Sequence, residues 1–137
     1  MMIYETQADR VNESGVFDAL ATKYNCGVEA CPVLSAVDGY LLDKEGNRAV
    51  VVEIKTRLNA HDLYPTYMLS AVKHENLVYI AKQSAIPALL VVNFTDGLYA
   101  TKIKSNYPTA LGGRRDRGNP NDTETCVYIP IQEFKSL

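Results

Sequence analysis

Two predominantly apolar runs constrain the fold of this chain more than any other feature of its sequence. The first is Val50-Val51-Val52, and the second occupies residues 88–94, with the sequence Ala-Leu-Leu-Val-Val-Asn-Phe. Runs of this kind, without alternation of apolar and polar residues, are typical of strands that are buried on both faces. They predict a sheet that is covered by other elements on both sides, as in α/β proteins.

The remaining patterns predict two helices and further strands. Residues 9–24 have apolar positions at helical spacing, and a second helix is predicted over residues 66–84, with Pro65 at its first turn. Its apolar face would carry Leu69, Val72, Asn76 and Ile80. The other predicted elements are a first strand over 28–37 interrupted by Pro32, a strand over 98–103, a long loop over 104–124 and a short edge strand over 126–131. The expected fold class is α/β, with a mixed sheet of about five strands flanked by helices.

A β-hairpin is predicted between the two helices. Residues 38–43 read as a strand, residues 44–47 as a four-residue loop and residues 48–55 as the return strand. If Asp43 faces Arg48, the antiparallel register places Asp38 opposite Glu53, with β-carbons roughly 4.5–5.5 Å apart. Lys55 lies two residues further along the strand, and alternation places it on the same face.

Two carboxylates and one amine on a common patch suit phosphodiester hydrolysis. Two acids this close repel each other unless a cation lies between them. Mg²⁺ takes oxygen ligands from one or two carboxylates and keeps several waters. The hypothesis depends on the register, because a slip by one residue would move one acid to the other face of the sheet.

The Glu-x-Lys spacing alone has low specificity. Glu133-Phe134-Lys135 repeats it near the C-terminus, where we interpret it as a surface turn or a fraying end. Glu53-Ile54-Lys55 differs because a buried strand precedes it and Asp38 lies on the neighbouring strand. The simpler alternative for Glu53 and Lys55 is a solvated strand end with a local ion pair.

Glu13 and Lys73 are further candidates for the same site. Glu13 lies four residues before Phe17 and seven before Leu20, so a helix places it on the inward stripe, where a carboxylate needs a partner or a function. The alternative is a glutamate in a first turn, which the helix dipole favours. Lys73 lies on the flank of the second predicted helix, with an ordinary solvated lysine as the alternative.

Composition is that of an ordinary globular chain, with 47% hydrophobic and 22% charged residues in 137 positions. We expect one domain spanning residues 1–137. No apolar run approaches the ~20 residues that a bilayer span needs, and the N-terminus does not resemble a targeting segment. The three cysteines are odd in number and lack CxxC spacing, which suits a reducing cytosol. A zinc site built from them with His61 or His74 is the alternative.

The net charge of −2 does not by itself indicate nucleic-acid binding, because DNA-binding domains usually carry a basic excess. Residues 102–117, however, have a local excess of +4. Arg114, Arg115 and Arg117 in this segment are candidates for phosphate contacts, with a solvated loop as the alternative.

A second set of candidate nucleic-acid contacts lies in the segment that follows Lys55. It comprises Arg57, His61, Tyr64 and Tyr67, and simple packing is the alternative for the tyrosines. A catalytic pair of His61 and Asp62 is a further alternative, although no nucleophile accompanies it.

These residues resemble the pattern of the PD-(D/E)XK nuclease superfamily. The resemblance rests on Glu13 in the first helix, on Asp38, on Glu53-x-Lys55 in the next strand and on the helix that carries Lys73. It covers residues 9–103, and in size and spacing it is closest to archaeal-type Holliday-junction resolvases and small phage nucleases. Val37 stands where the family name has a proline, and the segment after Lys55 is longer than a minimal resolvase needs.

The resemblance implies a restriction-endonuclease-like core and a Mg²⁺- or Mn²⁺-dependent endonuclease that cuts DNA, selective for branched or structured DNA. Asp38, Glu53 and the backbone carbonyl of Ile54 would hold the metal. Lys55 would position or deprotonate the attacking water, Glu13 would complete the site and Lys73 would face the scissile phosphate.

The resemblance also implies a homodimer with no membrane partner, in the cytoplasm of a bacterial, archaeal or phage-infected host cell. Two alternatives stay open: a non-catalytic nucleic-acid-binding or accessory module with the same fold, and a protein-interaction component. The choice between DNA and RNA, the endo- or exonuclease mode, and the choice of Glu13 or Glu5 also stay open.

Overall fold

The computed structural model describes residues 7–32, 34–113 and 123–137. Helix α1 (Gln7–Tyr24) is followed by β1 (Gly27–Ala30), β2 (Gly39–Leu42), β3 (Arg48–Thr56) and β4 (Thr66–Ser70). Helix α2 (Ala71–Ser84) follows β4 directly. The chain continues with β5 (Ala88–Phe94), β6 (Gly97–Lys102), β7 (Thr109–Gly113), β8 (Thr123–Pro130), a 3-10 helix (Ile131–Glu133) and β9 (Lys135–Ser136).

Six of the strands form a mixed sheet in the order β1-β2-β3-β5-β6-β9. β3 and β5 are parallel, and the other neighbours are antiparallel. Because parallel neighbours need a crossover connection, the chain leaves the sheet after β3, forms β4 and α2, and returns as β5. The α/β class with a mixed sheet is confirmed, and the sheet has six strands where about five were expected.

Helix α1 covers one face of this sheet, and α2 covers the other together with a second, smaller sheet. The core on the α1 side consists of Val16, Phe17, Leu20, Leu41, Val52, Ile54, Val91 and Ala100. The core on the other side includes Val51, Tyr67, Leu69, Leu77, Leu90, Val92, Phe94, Val127, Ile129 and Phe134. The strands that contain the two apolar runs, β3 and β5, are therefore buried from both sides, as predicted.

The second sheet is three-stranded and antiparallel, in the order β4-β8-β7, and it was not predicted. The helix predicted over 66–84 begins only at Ala71, because residues 66–70 pair with β8. Burial alternates along β4, so that Tyr67 and Leu69 enter the core. The helical face predicted for α2 is wrong as well: its buried residues are His74 and Leu77, and Val72 is exposed.

Other predicted boundaries differ from the structure because of pairing between distant segments. The strand predicted over 28–37 ends at Ala30 and gives way to a turn, in which the Ser35 N–H donates to the Pro32 carbonyl. The loop predicted over 104–124 contains β7 and the start of β8. β8 is the central strand of its sheet rather than an edge, and it accommodates Pro130 at its last position. Phe134 is a core residue rather than part of a fraying end.

Gly39 sits where β2 approaches both β1 and α1, next to Asp38. A Cβ atom at this position would lie 2.5 Å from the carbonyl oxygen of Glu29 and 2.6 Å from Cζ of Phe17. The first neighbour is strand backbone and the second is a buried ring, so the chain itself must shift. We expect Gly39→Ala to lower the free energy of unfolding by about 2 kcal/mol, as overpacked core substitutions do.

Gly15 provides the matched control for this prediction. It lies in α1, and an added Cβ atom would meet nothing within 4 Å. Gly15→Ala should raise the free energy of unfolding by about 0.5–1 kcal/mol, because alanine restricts the unfolded chain and favours the helix. Urea unfolding of both variants measures the two effects, and a Gly39→Ala protein as stable as the parent would contradict the first.

Candidate active site

β2 and β3 bring Asp38 and Glu53 side by side. Gly39 pairs with Val52, so the same register extended by one residue sets Asp38 opposite Glu53. The backbone supports this placement, because the Asp38 N–H donates to the Val52 carbonyl at 3.2 Å. The charge of Asp38 also raises the pKa of Glu53, as expected for two carboxylates close together. The register at the two acids is therefore the predicted one.

The register near the hairpin loop differs from the prediction by one residue. Arg48 pairs with Leu42 rather than with Asp43, and a β-bulge between Leu41 and Leu42 shifts the pairing. Asp43 instead closes the loop, where its carboxylate accepts backbone N–H bonds from Glu45 and Asn47. A bulge adds one residue to one strand. It compensates for the one-residue error in the predicted turn, so the register at Asp38 and Glu53 is unchanged.

The Asp38 side chain is fixed by the backbone of β3. Its Oδ2 accepts a hydrogen bond from the Ile54 N–H at 2.7 Å. Its own carbonyl accepts a bond from the Cys31 N–H at 2.8 Å. Asp38 immediately precedes β2, so its carboxylate caps a strand amide at the point where the regular pairing begins. The orientation of this acid is therefore set before any ligand binds.

Glu53 is the most unusual residue of the cluster, since it is a carboxylate with only 3% relative exposure. Its Oε2 lies 3.4 Å from the Lys73 Nζ and 3.7 Å from the Lys55 Nζ. Burial and the charge of Asp38, opposed by the charges of the two lysines, together raise the pKa of Glu53 to about 7. The two ammonium groups therefore do not fully compensate the burial of Glu53 beside Asp38.

Lys73 reaches the cluster from the first turn of α2. Its Nζ donates to the Ala36 carbonyl at 2.8 Å, which holds the ammonium group over the segment before Asp38. Its side chain is 24% exposed and that of Lys55 is 36% exposed, so both retain a path to solvent. The structure thus brings together Asp38, Glu53, Lys55 and Lys73, four of the five predicted catalytic residues.

Glu13, the fifth, lies at the same end of the sheet on the α1 side. The preceding residue, Asn12, donates from Nδ2 to the Thr56 hydroxyl at 2.8 Å, and its Oδ1 accepts from the Asn93 side chain at 3.0 Å. This network ties α1 to the ends of β3 and β5. Glu13 itself is partly buried.

Asn12, Thr56 and Asn93 were not among the predicted site residues. A signal for them exists in the sequence, because Asn93 interrupts an apolar run and Thr56 directly follows Lys55.

The two carboxylates of the cluster, Asp38 and Glu53, suit a hard divalent cation. Two carboxylates offer several oxygen atoms, and the backbone carbonyl of Ile54 is a further oxygen in the predicted set. Burial and the neighbouring charge of Asp38 disfavour the ionised form of Glu53. A cation between Asp38 and Glu53 would favour ionisation of both acids.

A second polar cluster lies beside the first, at His61. Its Nδ1 is 2.6 Å from Oδ2 of Asp96, and its backbone N–H donates to Oδ1 at 2.9 Å. These bonds lower the pKa of Asp96. Asp62 is 4.0 Å away, so the partner of His61 is Asp96 and not the neighbour considered from the sequence.

His61, Asp62 and Asp96 are close enough to share a metal ion. Within the described ranges, this is the only group of three or more histidine, cysteine, aspartate or glutamate residues with ligand atoms close enough for one ion, and it contains no cysteine. Two hydrogen bonds between His61 and Asp96 explain the cluster without an ion, since the Nδ1 contact uses Oδ2 and the backbone N–H uses Oδ1 of Asp96.

Arg57, His61, Tyr64 and Tyr67 line one groove of about 430 Å³. Asn59, Pro65, Thr66, Met68, Phe94, Tyr128 and Ile131 complete its walls. The predicted contact residues that follow Lys55 therefore lie together. Arg114, Arg115 and Arg117 lie outside the described residues.

The fold is that of the restriction-endonuclease-like nucleases. The solved structure of Hjc, a Holliday junction resolvase from the archaeal hyperthermophile Archaeoglobus fulgidus, is similar over 91% of this chain and 92% of that chain, with a TM-score of 0.54 and 16% sequence identity. The family model described as "Phage putative PDDEXK endonuclease" matches residues 2–137. The chain belongs to this family of nucleases, which confirms the resemblance found in the sequence.

No curated protein sequence matches the chain. The helices in the described residues are too short or too polar to cross a membrane.

Proposed function

We propose that this nuclease hydrolyses DNA phosphodiester bonds in the presence of Mg²⁺ or Mn²⁺, with Asp38 and Glu53 as metal ligands. The observation that carries the proposal is the buried carboxylate of Glu53, whose pKa is raised to about 7 and which shares its face with Asp38. A buried acid with a perturbed pKa and charged neighbours is a candidate for function rather than for stability.

Each charged residue has a defined part in this proposal. A divalent cation held by Asp38 and Glu53 would polarise the phosphoryl oxygens as a Lewis acid and lower the pKa of water. Lys55 orients the attacking water and stabilises the charge that develops on the phosphate, because a fixed ammonium group is worth most where charge builds up. Lys73, held by the Ala36 carbonyl, faces the phosphate from α2. Glu13 and the Ile54 carbonyl complete the oxygen set.

The substrate side of the proposal rests on charge and on the groove. Arg57, His61 and Tyr64 contact the nucleic acid beside the cluster, and Arg114, Arg115 and Arg117 bind its phosphates. We further propose that residues 1–137 act as one domain, as a homodimer in the cytoplasm, on branched or structured DNA. The Holliday junction resolvase activity of the similar archaeal protein is consistent with this substrate class.

Cleavage assays with Asp38→Asn test the proposal. Labelled linear, nicked, flapped and four-way DNA are incubated with Mg²⁺, Mn²⁺ or EDTA. We expect cleavage only with a metal, and a loss of at least about a hundredfold in Asp38→Asn, as for the removal of other charge-stabilising groups. Asparagine keeps an oxygen that accepts the Ile54 N–H bond, so the fold is retained.

Asp18→Asn is the matched control, since Asp18 is an exposed residue of α1. It should cleave like the parent protein. Salt-sensitive DNA binding without turnover in either metal would overturn the proposal and indicate a non-catalytic binding module instead.

A further inference from the structure

The groove next to the proposed catalytic cluster has a distinctive lining. We call it the aromatic groove and define it by Arg57, His61, Tyr64, Tyr67, Phe94 and Tyr128. It begins where β3 ends, two residues beyond Lys55. The Arg57 N–H donates to the Asn93 carbonyl at 3.0 Å, so the backbone continues the pairing of β3 with β5 to this point. The groove therefore adjoins the place where a phosphodiester would lie.

Tyr67 connects the groove with the catalytic cluster. It is 4% exposed, and its hydroxyl is buried without a hydrogen-bond partner among the described residues. Burial raises its pKa to about 12, and the charges of both Arg57 and Glu53 act on it. The hydroxyl therefore stays protonated at neutral pH and can donate. Buried hydroxyls normally have a partner, so a ligand in the groove would complete the hydrogen bonding of this one.

Arg57 and His61 present flat surfaces that are held in place, and Tyr64 adds an exposed ring. The Arg57 guanidinium lies 4.7 Å from the centre of the Tyr67 ring. The His61 ring stacks on Tyr99 at 4.1 Å and is fixed by Asp96. Tyr64 is 60% exposed. Rigid aromatic and guanidinium planes are the groups on which unstacked nucleic-acid bases stack.

We propose that the aromatic groove binds an unpaired nucleobase of the DNA strand beside the cleaved phosphodiester, so that the preferred substrate carries single-stranded nucleotides at the cleavage point. The proposal rests on the proposed function, because it takes the position of the scissile phosphate from Glu53 and Lys55. A base inside a duplex is stacked on both sides and must leave the stack before it can enter such a groove. The charge of Arg57 complements the phosphates that flank the base.

Oligonucleotide binding to Tyr64→Ala tests this inference. The probe is a duplex with a short unpaired flap that contains 2-aminopurine, whose fluorescence is quenched when it stacks on an aromatic ring, and Ca²⁺ replaces Mg²⁺ to slow cleavage. We expect the parent protein to quench the probe and Tyr64→Ala to lose the quenching. The affinity for the flap should fall about tenfold, as for the loss of one stacked base, and that for a full duplex by less than about twofold.

Tyr79→Ala is the matched control, because Tyr79 is exposed to a similar extent, 64%, but lies on α2 outside the groove. It should bind and quench like the parent protein. Tyr67→Phe is a second variant, which keeps the ring and removes only the hydroxyl. It should weaken flap binding by a few-fold while retaining a stable fold.

The outcomes separate this inference from the proposed function. Quenching that depends on Tyr64, with no cleavage in Mg²⁺, would support the groove and overturn the nuclease assignment. Cleavage of duplex and flap alike, with parent and Tyr64→Ala proteins equal in flap binding and quenching, would support the nuclease and overturn the groove proposal. In that case another occupant, such as a peptide, would fit the apolar walls.

Discussion

Lys55→Ala will slow DNA cleavage by about a thousandfold while the fold and the binding of divalent metal are retained, a loss at the upper end of that seen when one charge-stabilising group is removed. The Lys55 side chain is partly exposed, and its Nζ lies 3.7 Å from the Glu53 carboxylate. Its removal leaves the packing of β3 intact, because Val52 and Ile54 on the opposite face carry the contacts with α1. The effect should therefore appear in the chemical step.

Single-turnover cleavage at saturating protein, with metal binding followed by calorimetry, measures the two quantities separately. Lys82→Ala, a change of an exposed lysine in the last turn of α2, is the control and should cleave normally. Lys73→Ala belongs in the same series, because the Lys73 Nζ lies slightly closer to Glu53. If Lys55→Ala cleaves within tenfold of the parent protein and Lys73→Ala does not, the role proposed for Lys55 belongs to Lys73.

Glu53→Gln will stabilise the metal-free protein at pH 8. The pKa of Glu53 is about 7 in the folded protein against 4.5 for an ordinary glutamate. Between pH 4.5 and about pH 7, the Glu53 carboxyl therefore stays protonated in the folded protein but is ionised in the unfolded chain. The free energy of unfolding consequently falls as the pH rises through this range. The shift corresponds to about 3 kcal/mol at pH 8, and a glutamine that cannot ionise avoids this loss.

Urea unfolding in EDTA at pH 5 and pH 8 checks this prediction. Glu53→Gln and the parent protein should have similar stability at pH 5, and the variant should gain progressively above it. Glu75→Gln, a change at an exposed position of α2, should show no such pH-dependent gain. A stability difference that does not change with pH would mean that Glu53 is already ionised at pH 5.

Addition of Mg²⁺ at pH 8 should reduce the stability difference between the two proteins. A ligand that binds only the folded state raises the free energy of unfolding, and the increase grows with the logarithm of the ratio of ligand concentration to Kd. The parent protein should gain stability, and Glu53→Gln should not. Stability and cleavage thus test the same carboxylate independently.

The sequence predicted the structure correctly where the pattern of buried residues along a strand is enough to determine it. The apolar runs in β3 and β5 place these strands in the interior of the sheet, where both faces are buried. Tyr40 and Val51 both belong to the core between the sheet and α2. This pattern holds Asp38 opposite Glu53, even though the turn prediction was off by one residue at Arg48.

The sequence was least informative where contacts join distant segments. Thr66–Ser70 has apolar residues that fit a helix as well as a strand, and only its pairing with β8 makes it β4. Ser70 pairs with Cys126, far along the chain, so no local pattern announces the second sheet. The bond between His61 and Asp96 likewise depends on tertiary structure. The sequence suggested Asp62 as the partner only because it is adjacent to His61.

The direct continuation of β4 into α2 connects two parts of the molecule for which we propose separate roles. Tyr67 lies in β4, and Lys73 lies in the first turn of the helix that follows without a loop. One short stretch of backbone therefore carries both a wall of the groove and an ammonium group at Glu53. The path of this stretch therefore sets the spacing between the groove and the charges around Glu53.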